Sequence, residues 1–170
     1  AWKDSHQPFH WYVDFYPLMA CGGFDAVIGN PPYLQLSEIS EYGVSRYSCA
    51  DCGNLYAVML ERSTALLRRN GRSGFIVPVS AISTDGYSTL QKIYAPFRTH
   101  VSCFDDRPSR LFDGLEHIRL VIMLAQRSDS PQWLMTRYHK WTTDERPNLF
   151  AKLSYFDAPA SLISNAIPKM

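Results

Sequence analysis

The ten residues Phe24-Asp25-Ala26-Val27-Ile28-Gly29-Asn30-Pro31-Pro32-Tyr33 constrain this chain more than any others, because a short apolar run stops at a corner with little conformational freedom. Val27 and Ile28 at the centre of the run fit a buried strand, and Gly29 marks a point of close backbone approach. Pro31 and Pro32 then fix two successive φ angles and remove two N–H donors, and each drives the residue before it towards extended geometry. The Asn30 amide and the carbonyls around Pro31 are therefore held in set directions. The strand delivers that corner to a site.

Such a corner suits the holding of an amino group by both of its hydrogens. An aromatic amine is a poor nucleophile because its lone pair is delocalised into the ring. Two acceptors on its N–H bonds favour a more tetrahedral nitrogen with the lone pair exposed. The Asn30 side-chain oxygen and the Pro31 carbonyl are the candidate acceptors. The Tyr33 ring offers a flat face to a base drawn out of its stack. Each residue also has an ordinary reading, since Asn-Pro-Pro is a frequent turn and a Tyr after a turn is commonly half-buried packing. On chemistry alone the corner suits an adenine or guanine amine, a cytosine N4 or a glutamine amide; Tyr33 favours a base without choosing one.

The same stretch resembles the catalytic motif of amino-group DNA methyltransferases of the N6-adenine type, in particular the gamma-type enzymes of large restriction-modification and phage-defence proteins. The resemblance implies S-adenosylmethionine as methyl donor and double-stranded DNA with a flipped adenine as partner. It implies that Asn30 and Pro31 hold the target amine, that Tyr33 stacks on the base, and that Pro32 lies towards the donor. Other phrases extend it: Phe9-His10-Trp11, Phe15 and Gly22-Gly23 before the motif, Leu55-Tyr56-Ala57 after it, and Gly71-Arg72-Ser73-Gly74-Phe75-Ile76-Val77-Pro78. The phrase Arg107-Pro108-Ser109-Arg110-Leu111-Phe112-Asp113-Gly114 resembles the motif before the last strand of the family's sheet, where an aromatic covers the other face of the base. Phe112 is the candidate, beside the alternative that it packs under its own loop. Arg107 and Arg110 are candidate phosphate contacts because guanidinium forks suit phosphate oxygens.

The totals add bounds. A chain of 170 residues, 46% hydrophobic and 19% charged, has the composition of a globular domain with one core. Net charge is +1, so no overall basic field announces nucleic acid, although residues 91–170 carry 11 basic and 8 acidic side chains against 6 and 8 in residues 1–90. No run of eighteen apolar residues and no export signal is found, which makes a cytoplasmic address the default. Cys49 and Cys52 form a Cys-x-x-Cys pair, but no second ligand pair stands at metal spacing, so no metal is expected and free thiols are. A thioredoxin-like redox pair remains the alternative, given the helical pattern that follows.

Alternating apolar patterns argue for an α/β sheet layered with helices. A strand at 24–28 is followed by a polar loop to about Gly53, then by a helix capped by Asn54 and ended near Asn70-Gly71. Gly71–Gly74 reads as a turn into a strand at 75–78. A helix over 83–94 precedes strands at 101–104 and 118–125. His10 and Trp11 read as packing before the first strand. Ser128–Pro131 is the candidate boundary, and the cations and aromatics beyond it, Tyr138-His139-Lys140-Trp141 and Glu145-Arg146, are of the kind that meets nucleic acid.

The resemblance implies a partial Rossmann-like S-adenosylmethionine-dependent methyltransferase fold, holding the C-terminal half of a seven-stranded sheet. The donor-binding half of that fold carries a Gly-rich strand-to-helix turn and an acidic residue for the ribose. No Gly-x-Gly turn after a strand occurs in residues 1–170. The expectation is a fragment in which 1–127 are the catalytic half of the domain, with the N-terminal donor half of the parent chain missing, and 128–170 open a DNA-recognition region or linker. A reading from another class is a non-catalytic DNA- or partner-binding module derived from such an enzyme.

Overall fold

The computed structural model describes residues 9–39, 43–112, 114 and 117–158. Residues 40–42 of the expected loop, Asp113 of the Phe112-Asp113-Gly114 phrase, and residues 159–170 lie outside them.

Two short helices, α1 (Trp11–Asp14) and α2 (Tyr16–Ala20), lead into β1 (Phe24–Gly29). Trp11 and Phe15 each meet the Phe24 ring edge-on, at 5.7 and 5.3 Å, so the aromatics before the strand pack against its first residue. After the loop comes α3 (Leu55–Leu66), then β2 (Leu67–Pro78), α4 (Ser80–Ser83), α5 (Ser88–Tyr94), β3 (Phe97–Phe104), β4 (Leu120–Arg127), β5 (Gln132–Met135) and β6 (Phe156–Asp157). The six strands form one mixed sheet in the order β1-β2-β4-β3-β5-β6, with helices against it. β1 pairs parallel to β2 and β3 to β5, while β4 runs antiparallel between β2 and β3. The expected α/β sheet is thus observed. β5 and β6, which lie beyond the candidate boundary at Ser128–Pro131, are part of that same sheet.

Alternation along the strands sorts the two faces. Phe75, Val77, Val101, Val121, Met123 and Trp133 bury themselves with Tyr56, Ala57 and Leu60 of α3 and Leu90 and Tyr94 of α5 in the main core. On the opposite face Phe104 packs with Trp141 and Leu149. The rest of that face is open only in part: Ser102 and Leu120 are buried, but Ile28 is 81% and Leu124 51% exposed.

Several boundaries differ from the sequence expectation, and the strands expected at 101–104 and 118–125 run over Phe97–Phe104 and Leu120–Arg127. α3 stops at Leu66 and passes directly into β2, so Gly71 and Gly74 lie within a strand and form no turn. The β1–β2 register shifts between Phe24↔Leu67 and Ala26↔Arg72, which absorbs the extra residues of β2. A Cβ on Gly71 would stand 2.8 Å from the Phe24 carbonyl oxygen. Close sheet contact there requires glycine. The expected helix over 83–94 is divided into α4, a 3-10 turn at Asp85–Tyr87, and α5.

Candidate active-site corner

β1 ends at Gly29, and the chain leaves it as expected, through an exposed Asn30, a buried Pro31, an exposed Pro32 and a half-buried Tyr33. The corner is closed on itself by one hydroxyl. Tyr33 Oη lies 2.7 Å from Asn30 Oδ1 and 3.1 Å from the Ile76 carbonyl oxygen, donating to these two acceptors. The Tyr33 ring meets Tyr56 edge-on at 6.0 Å, Tyr56 stacks on Tyr87 at 5.4 Å, and the Tyr56 hydroxyl lies 3.1 Å from Ser80 Oγ. Burial pushes the Tyr33 hydroxyl up to about 12, so it keeps its proton at ordinary pH.

The chain beyond the corner is tied back to it. Leu55 N donates to the Leu34 carbonyl and Leu36 N to the Gly53 carbonyl, both at 2.9 Å. The Glu61 carboxylate on α3 accepts from Ser48 N at 3.1 Å and Cys49 N at 2.7 Å, holding the start of the 3-10 turn Ser48–Cys52. Cys49 and Cys52 are free thiols in that turn. Burial raises both, Cys49 the more strongly.

Asn30, Pro31, Pro32 and Tyr33 are thus brought together at the end of β1, with Tyr56, Tyr87 and Glu61 as supports that sequence reasoning did not single out. Only the Leu55-Tyr56-Ala57 phrase gave any signal of them. Phe112 and Arg110 are not part of this group. They sit in the β3–β4 connection and line a cleft with Thr143 and Arg146. Arg146 holds that connection through the carbonyls of Arg110, at 2.9 Å, and Leu111, at 3.2 Å, and its guanidinium lies over the Trp141 ring at 4.7 Å. Trp141 is buried. The expectation that Trp141 meets nucleic acid is therefore corrected, since it is enclosed in the core, whereas Arg146 stays exposed.

Pro32 stands exposed beside the free edge of β1, but among the described residues no glycine-rich strand-to-helix turn with an acidic partner is found.

The sequence model described as Eco57I restriction-modification methylase matches residues 1–103. A type II restriction enzyme and methyltransferase of Methanocaldococcus jannaschii, RM.MjaORFECS2P, is 32% identical over 111 residues, covering 59% of this chain and 9% of that protein. The type II methyltransferase M.TthHB8I of Thermus thermophilus is 32% identical over 84 residues, covering 42% of this chain and 20% of that protein. The chain therefore spans a fifth or less of these curated relatives. Among solved structures, a cryo-EM structure of a DrdV–DNA complex aligns with a TM-score of 0.65 at 13% identity, over 89% of this chain and 19% of the other. That likeness shows a shared fold.

Proposed function

The chain belongs to the Eco57I restriction-modification methylase family, and from that premise we propose that it carries the catalytic corner of a DNA methyltransferase that moves a methyl group from S-adenosylmethionine to N6 of a flipped adenine. The observation that carries the reading is the exposed Asn30 amide at the end of β1, its Oδ1 2.7 Å from the Tyr33 hydroxyl and followed directly by Pro31.

In this reading Asn30 Oδ1 and the Pro31 carbonyl accept the two N–H bonds of the amine and turn its lone pair outward, and the Tyr33 ring lies against the base. Asn30 Oδ1 has two lone pairs, so it accepts the base's N–H beside or in place of the Tyr33 hydroxyl, at little cost in hydrogen bonds. S-adenosylmethionine, when bound, supplies the electrophilic methyl group. Pro32 lies on its side of the corner.

We assign the rest of the donor site, and the cover for the open face at Ile28 and Leu124, to the donor-binding half of a longer protein. Ile28 and Leu124, exposed apolar side chains on this face, are what such a cover would bury. The edge of β1, unpaired among the described residues, supports the same assignment. Residues 1–127, their sheet completed by β5 and β6, are then the catalytic half, the residues beyond lead towards DNA recognition, and Phe112 and Arg110 contact the DNA around the base. Mass spectrometry of nucleosides, from DNA treated with the longer protein and S-adenosylmethionine, tests the assignment. N6-methyladenine is expected; N4-methylcytosine alone, or no methylated base, would reject it.

A further inference from the structure

Beside the corner, at the same end of the sheet, lies an open cleft of about 460 Å³. Val79, which lines it, is three residues from the Ile76 carbonyl that accepts from Tyr33. Its charges are layered. Asp105 and Asp106 form the floor, with side chains 9% and 14% exposed, while Arg119 and Arg107 stand at the rim at 51% and 74%. The floor is neutralised from within: Arg119 Nε lies 3.2 Å from Asp105 Oδ1 and 3.9 Å from Asp106 Oδ1, and Asp106 N donates to Asp105 Oδ1 at 2.9 Å. Burial alone would raise the Asp105 carboxyl, but the hydrogen bonds from Asp106 and Arg119 outweigh it and hold Asp105 ionised.

The rim keeps donors to spare. Arg107 Nε lies 4.0 Å from Asp106 Oδ2, at the limit of an ion pair, and its Nη2 3.2 Å from His117 Nδ1, which leaves N–H donors of the fork turned to the mouth. A guanidinium can only donate, so Nδ1 accepts and the neutral ring carries its proton on Nε2, as a further donor. His117 holds this position with φ of 59°, the one positive φ outside glycine among the described residues, which is a costly conformation for a residue with a Cβ. Lys140 lines the same cleft and is exposed, and its ammonium has no ion-pair partner among the described residues.

We propose that Arg107, Lys140 and His117 form a binding site for one phosphate of the DNA backbone, on the strand whose base reaches the corner. The inference rests on the DNA-methyltransferase reading. A fork, a point charge and an N–H around one open mouth match the oxygens of a phosphodiester. The open mouth suits a chain lying across it and gives a small free anion no enclosure. Arg119 is the positioning residue, holding the acidic floor away from the phosphate.

The test is fluorescence anisotropy of the whole chain on duplex oligonucleotides, with salt varied from 50 to 200 mM, for Arg107→Gln, Lys140→Gln and the double variant. Each single variant is expected to weaken binding about three- to ten-fold, equally across sequences, and to lower the salt slope by about one. Because both residues hold one phosphate, the double variant lowers the slope by no more than the singles do. Lys92→Gln, an exposed lysine on α5, leaves the slope unchanged. An unaltered slope in Lys140→Gln, additive slope changes in the double variant, an equal effect of Lys92→Gln, or no salt-dependent DNA binding would each overturn the site. Competition by millimolar inorganic phosphate without any effect of the variants on DNA binding would reassign it to a free anion and overturn it too. DNA binding with these slopes but no methylated adenine from the longer protein leaves the cleft standing and removes the catalytic reading.

Discussion

Tyr33 has two separable parts, a hydroxyl held by Asn30 and Ile76 and a ring packed on Tyr56. If the ring serves as the platform for a base, Tyr33→Ala should cost the longer protein ~1–3 kcal/mol of affinity for DNA, the usual worth of a base–aromatic stack. Tyr33→Phe should hold affinity within about three-fold, by the modest net worth of one hydrogen bond; equal losses in the two variants would remove the stacking role. The hydroxyl makes a pH prediction of its own. Its folded value near 12 exceeds the ordinary 10.0, so the stability it brings is complete below pH 10 and is lost as pH rises towards 12. Alkaline unfolding of Tyr33→Phe, followed by circular dichroism, should lack that part of the decline. Asn30-Pro31-Pro32-Tyr33 could be read from sequence because prolines fix backbone directions locally. That Tyr33 closes onto Asn30 could not, because its rotamer is set by Tyr56, which is 23 residues further along the chain.

At the scale of elements, α3 is the support of the corner. Asn54 caps it through Oδ1, which accepts from Tyr56 N at 3.3 Å, and both ends of the loop meet near that cap. Asn54→Ala should destabilise the chain by about 0.5–2 kcal/mol in urea titration. A change below ~0.3 kcal/mol would mean that the cap is replaceable by solvent. Sequence gave this cap correctly, since capping is a local matter of one side chain and the next two amides. It gave the end of the helix four residues too late and read Gly71–Gly74 as a turn. The missing information was non-local: the Phe24 carbonyl sits where a Cβ on Gly71 would be, and Leu124 Cδ2 stands 3.1 Å from a Cβ on Gly74. Similarly, Trp141 looked like a surface aromatic among cations until Phe104 and Leu149 enclosed it.

For the whole molecule, one sheet face is filled and the other is partly bare. Ile28→Ser should change the stability of the isolated chain by less than ~0.5 kcal/mol, as for an ordinary surface substitution. In a longer protein that covers this face the same change should cost ~1–3 kcal/mol, from lost apolar burial and a buried hydroxyl. Similar small effects in both would argue against that cover. Alternating patterns disclosed the α/β class, but not β5 and β6, whose short runs carry little periodicity and depend on pairing with β3 and with each other.

The central claim is that Asn30 holds the reacting amine. Asn30→Ala in the longer protein, read in parallel by single-turnover methyl transfer and by equilibrium DNA binding, tests it most directly. Transfer should fall by about 10²–10³-fold, the usual cost of removing one preorganised polar contact to the reacting centre, while DNA affinity stays within about three-fold. Transfer retained within about ten-fold, or a matching loss of DNA binding, would contradict the assignment.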